Sequence, residues 1–129
     1  MVDRGRFQLQ LSGNLLVLTA AGRLTRPLME QLMADVRTLI APLAGTSWGS
    51  LLDLSDWGPL QPDLVPLVQE LNRWCCDQGM AAEAVVISGA LPHAASWRDG
   101  DAERAPTRYF HTQSDARNWL ASQQIGVGG

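Results

Sequence analysis

The chain contains no lysine: its ten basic residues are all arginines, scattered from Arg4 to Arg117. Without an ammonium on a flexible stem, a Schiff-base enzyme and a Walker-type phosphate loop are both excluded. A genome-wide base-composition bias is the simplest account of the gap. The net charge is −3. Phosphate neutralisation needs clustered cation, so no nucleic-acid partner is expected. Cysteine is scarce as well, with Cys75 and Cys76 adjacent on a predicted helix. Helix neighbours point about 100° apart, which makes a mutual bridge geometrically poor. Reduced thiols and a cytoplasmic location are the expectation. The two histidines, His93 and His111, are far apart and lack companion ligands at metal-site spacing. Neither a zinc site nor any other cofactor is expected. No apolar run approaches the roughly 20 residues that cross a bilayer. Residues 1–6 lack the apolar centre of a signal peptide.

What is present suits one globular domain: 129 residues, 46% hydrophobic and 18% charged. Phe7 to Leu11 alternates with period two, and Leu15 to Ala20 follows across the turn residues Ser12-Gly13-Asn14. The pair predicts a β-hairpin. Gly22-Arg23-Leu24-Thr25 interrupts it, with Thr25 placed to cap a helix and Pro27 in that helix's first turn. Leu28, Leu32, Val36, Leu39, Ile40 and Leu43 recur at helical spacing and predict about 17 residues of amphipathic helix. A strand is expected over Ser47–Ser55, then a helix from Pro62 or Asp63. The apolar stripe of that helix is Leu64, Leu67, Val68, Leu71, Trp74 and Cys75; Pro66 falls in its first turn and Gly79 stops it. Ala84–Ser88 reads as a short strand and Arg108–His111 as a last one, before a helix starting at Thr112 or Ser114. Residues 90–106 show poor periodicity. Strand–helix alternation implies right-handed parallel crossovers. The expected fold class is therefore α/β, a mixed sheet of four to five strands with helices mainly on one face.

Three stretches resemble the STAS domain group (sulphate transporters and anti-sigma factor antagonists), and within it the small SpoIIAA-like proteins. They are Gly22-Arg23-Leu24-Thr25, the segment Leu51–Trp57 reading LLDLSDW, and Phe110 followed by Asp115–Leu120. The resemblance spans nearly the whole chain, 1–124, and leaves 125–129 as an expected flexible tail. It implies a job in protein recognition rather than catalysis. In the sigma-antagonist members a serine at the start of the helix after the central strand is phosphorylated. Ungapped alignment from LLDLSDW puts that position at Asp63, with Pro62 before it in place of a second serine and Leu64 after it in place of a glycine. Side-chain chemistry rules out phosphorylation there. Asp63 then has two readings: a fixed charge imitating phosphoserine, or an ordinary acidic residue at a helix start.

Ligands of open α/β sheets bind beyond the carboxyl ends of the parallel strands. The candidates there are Asp53, Ser55, Asp56 and Trp57 after one strand, Ser88 after the next, and His93 and Trp97 on the loop that leaves it. Trp57 either roofs the core edge or anchors a partner. Asp53, Ser55, Asp56 and His93 hold the residue types of a hydrolase, but no nucleophile elbow or oxyanion hole is legible. The first expectation is a non-enzymatic adaptor that binds a protein partner through Asp56, Trp57 and the start of the second long helix. The alternative is a small hydrophobic ligand, held in an apolar pocket between helices and sheet of on the order of 300 Å³ or more. A homodimer, through the sheet face or an edge strand, is left open.

Overall fold

The computed structural model describes residues 6–43, 45–57, 62–88 and 106–126. Strand β1, Arg6–Ser12, has half-buried Phe7, Leu9 and Leu11 alternating with exposed polar residues, the pattern of a strand with one wetted face. Gly13 takes φ +60°, the positive value a two-residue hairpin loop needs at its first position. Strand β2, Leu15–Gly22, then pairs antiparallel with β1 from Ser12 opposite Leu15 to Arg6 opposite Ala21.

The Thr25 side chain accepts the N–H of Leu28 at 3.4 Å and opens helix α1, Arg26–Ile40, with Pro27 in its first turn. The apolar stripe continues to Leu43, but its last residues, Ala41–Leu43, tighten into a 3₁₀ turn. Pro42 has no N–H with which to extend the α-helical ladder. Strand β3, Trp48–Trp57, runs two residues past the expected end. A 3₁₀ turn, Pro62–Leu64, leads into helix α2, Val65–Asp77, whose first turn holds Pro66. Gly79, at φ +104°, reverses the chain into strand β4, Met80–Val86. Strand β5, Thr107–Phe110, precedes helix α3, Gln113–Ser122, where the Thr112 hydroxyl caps the N–H of Asp115 at 3.1 Å.

The strands lie in chain order, β1-β2-β3-β4-β5, with every pair after the hairpin parallel. Two successive right-handed crossovers that step the same way must place α1 and α2 on one face. Leu16, Leu18, Val36, Ile40, Trp48, Val68 and Val85 are buried together on that side. Helix α3 follows the last strand and is free of that constraint; it closes the other face over Leu15, Val17, Leu51, Ala84 and Val86. The mixed α/β sheet with helices mainly on one face is the one expected. Met29 and Met33, at the margin of the α1 stripe, are core residues at 1% and 6% exposure. Cys75 is a buried thiol and Cys76 a half-buried one.

Two expectations need correction. Strand β4 begins at Met80 rather than Ala84. Met-Ala-Ala-Glu-Ala favours helix by propensity, and only parallel pairing on both sides makes it a strand. The flexible tail does not begin at residue 125. Ile125 is 2% exposed, packed in the core beneath α3, and Gly126 N–H donates to Asn14 Oδ1 at 2.8 Å. Residues 127–129 lie outside the described residues.

Candidate functional site

The LLDLSDW segment contains an irregularity that pattern reading does not show. Thr19 pairs with Asp53, but Ala21 pairs with Asp56, so β3 has one residue more than β2 between those points. Such a bulge takes a backbone segment out of regular pairing and re-aims its side chains. Here neighbouring side chains bond that backbone. Asp53 Oδ1 accepts the Ser55 N–H at 3.1 Å and the Ser55 hydroxyl at 2.6 Å. The Ser55 carbonyl accepts the Ser88 hydroxyl at 2.9 Å, which ties the ends of β3 and β4 together. Asp53 Oδ2 accepts Gln113 Nε2 at 2.6 Å, from the first turn of α3.

Burial pushes the Asp53 carboxyl up, but the bonds from the Gln113 side chain, the Ser55 hydroxyl and the Ser55 backbone outweigh it. The net result lies below the ordinary carboxylate value. Asp53 is thus held ionised, with both oxygens occupied by donors, as suits a structural carboxylate rather than a base at neutral pH. A depressed folded-state value stabilises the fold above the unfolded-state pKa, and that stability is lost as pH falls through the folded one. Asp53→Asn is therefore expected to lower stability by about 1–2 kcal/mol at pH 7. It should also flatten the acid limb of the stability profile below about pH 4. Urea titrations of both proteins from pH 7 to pH 2.5 test this; parallel acid limbs would refute it.

Asp53, Ser55 and Ser88 are thus brought together, as expected from the strand ends. Asp56 follows, exposed, at the end of β3. Trp57 continues the strand, with its backbone opposite Gly22. Asp63 is exposed in the 3₁₀ turn before α2, and its carbonyl accepts Arg26 Nη2 at 3.3 Å. That bond ties the turn to the first residue of α1. Helix α2 itself opens at Leu64 with no side-chain cap, so Asp63 does not cap it. His93 and Trp97 lie outside the described residues. The other histidine, His111, has Nδ1 3.2 Å from the Ile87 carbonyl. Among the described residues no group of His, Cys, Asp or Glu is arranged to hold a metal ion. No described helix is long and apolar enough to cross a membrane.

Sequence reading missed two features. Gln113 acts across 60 positions, which no local pattern can reveal. The second is a polar pair inside the α1–α2 side of the sheet. Ser50 is 2% exposed and Glu83 4% exposed, with Ser50 Oγ 3.2 Å from Glu83 Oε2. The signal was available, since Glu83 is the one charge in the otherwise apolar run Met80–Val86. The pair lines a cavity of about 70 Å³ between α1, α2 and the sheet. That volume is well below the 300 Å³ or so expected of a pocket for a drug-sized or lipid ligand.

No protein-family model matches this sequence, and no curated protein matches it significantly. Solved structures do. A protein of the DUF3478 family from Shewanella loihica PV-4, described as uncharacterised with a SpoIIAA-like fold, superposes with a TM-score of 0.71 at 19% identity, covering 93% of this chain and 96% of that one. An anti-sigma factor antagonist from Mycobacterium paratuberculosis superposes with a TM-score of 0.63 at 16% identity, covering 92% and 96%. At these identities the likeness is one of fold. This chain has a SpoIIAA-like fold over nearly its whole length.

Proposed function

We propose that this is a non-enzymatic regulatory or adaptor domain of the cytoplasm, which recognises a protein partner through the end of β3 and the start of α2. The observation that carries the reading is the state of the strand-end carboxylate. Asp53, the group best placed for acid–base chemistry, has both oxygens engaged in bonds within the domain. Asp56 and Asp63 remain exposed on either side of the loop after β3. Exposed charge at the rim of a contact steers and selects partners more than it binds them. The likeness to a solved anti-sigma factor antagonist supports a regulatory role. On this reading Asp63 presents a permanent negative charge and Trp57 contributes contact area, a role in which tryptophan is enriched.

Affinity capture from the source organism with the full chain, read by mass spectrometry, tests the proposal. One protein should be enriched by the wild type. It should be lost with Trp57→Ala and weakened at least tenfold with Asp63→Arg, but retained with Arg117→Ala on α3. A partner that survives the first two changes would overturn the placement of the surface.

A further inference from the structure

A second surface, separate from the one at the end of β3, lies along β1. Among the described residues the sheet ends at β5 on one side and at β1 on the other. Strand β5 is four residues long and carries Arg108; shortness and charge are two of the usual guards of an edge. Strand β1 has little of either. It runs seven residues, pairs with β2 without a register shift, holds no proline, and has one charge, Arg6, at its first position. A two-residue hairpin loop closes on a hydrogen-bonded pair, here Ser12 and Leu15, and such pairs recur at every second position. Gln10 and Gln8 thus bond β2, while the backbone N–H and C=O groups of Phe7, Leu9 and Leu11 point away from it. The side chains of those three residues are half-buried against the core, as are Leu28 and Leu39 of α1.

We infer that β1 is a self-pairing edge, along which two copies of this chain join antiparallel into one continuous sheet about a two-fold axis at Leu9. The pattern of the strand selects that occupant. Phe7-Gln8-Leu9-Gln10-Leu11 shows the same alternation of apolar and amide side chains in both directions. An axis at Leu9 sets Leu9 against its own copy, Phe7 against Leu11 and Gln8 against Gln10. Apolar then meets apolar on the α1 side of the sheet, and amide meets amide on the other. The same axis places all three outward-pointing residues in hydrogen-bonded pairs, about six bonds across the join. A two-fold axis at any other residue pairs fewer of those three. Asp35 shares the helical stripe of Leu28 and Leu39 and is half-buried, its carboxylate accepting Gln31 Nε2 at 2.8 Å. Two copies bring two such carboxylates to one flank, which keeps the join weak, with a dissociation constant on the order of 10–100 µM.

Sedimentation velocity of the full chain between about 2 and 500 µM should show the 14.0 kDa monomer giving way to a species of twice that mass. Over the same range the amides of Phe7, Leu9 and Leu11 should come to exchange about tenfold more slowly. The amides of Gln8 and Gln10, already bonded to β2, should change less. Gln8 and Gln10 are exposed, so replacing their side chains does not disturb the core. Gln8→Lys with Gln10→Lys sets like charges opposite each other and should weaken the dimer about fivefold or more. Gln8→Glu with Gln10→Lys sets opposite charges across the join and should tighten it about threefold or more. A monomer throughout the range, a dimer that leaves the Phe7, Leu9 and Leu11 amides unprotected, or an equal response to the two double variants would each overturn the inference.

Discussion

Trp48→Ala is expected to cost about 3–5 kcal/mol, enough to bring a domain of ordinary stability near its unfolding threshold. Among the described residues Trp48 is the largest fully buried side chain, at 0% exposure. It stands at the start of β3, where its indole N–H donates to the Gln78 carbonyl at 3.0 Å and its backbone N–H to the Gly79 carbonyl at 3.2 Å. One residue therefore fills the end of the core and fixes the turn between α2 and β4. Removing the ring leaves a cavity and deprives the Gln78 carbonyl of its indole donor. Trp48→Phe keeps most of the volume and should cost about 1–2 kcal/mol less than alanine, which separates packing from the hydrogen bond. Urea unfolding with an unchanged m-value is the measurement. A loss below about 1 kcal/mol for alanine would contradict the packing described at this end of the sheet.

The second large effect lies where α3 meets the opposite face. A Cβ on Gly49 would stand 2.5 Å from Ile125 Cδ1, 2.9 Å from its Cγ2 and 3.0 Å from the Ala82 carbonyl oxygen. Gly49→Ala should therefore destabilise by about 1–3 kcal/mol through overpacking. Ile125→Ala removes a side chain that is 2% exposed and should cost about 2–5 kcal/mol. The two losses should not add. Once Ile125 is truncated the new methyl group loses its two closest contacts and keeps only the one with the Ala82 carbonyl oxygen, and the double variant is expected to be at least about 1 kcal/mol more stable than the sum predicts. Strict additivity in the four-protein cycle would show that Ile125 does not occupy the space above Gly49.

Much of this architecture can be read from residue order. Period-two alternation marks β1, Thr25 and Thr112 stand at their helix starts, and Pro66 falls in the one turn of α2 that tolerates it. The failures share a cause. Alanines in β4 are short because α3 packs on that strand, and Ala82 and Ala84 both belong to the core beneath α3. Propensity sees only their helix preference. Ile125 follows a run of polar residues, and its burial depends on Gly49, 76 positions earlier. At the strand ends, Asp53, Ser55 and Ser88 could be named from the sequence. The bulge that turns them into one bonded group, and the Gln113 contact that completes it, exist only once the strands are paired.

The neighbour-by-neighbour arrangement of the five strands bears on how the chain reaches this state. Each strand lands beside the one made just before it, so most sheet contacts close short loops, and modest contact order favours rapid folding for a mixed α/β domain. The longest-range exceptions join the two extremes of the chain, from Asn14 to Gln124 and Gly126. Those contacts can form only after the rest is in place. Substitutions at Asn14 should accordingly speed unfolding and leave the refolding rate nearly untouched.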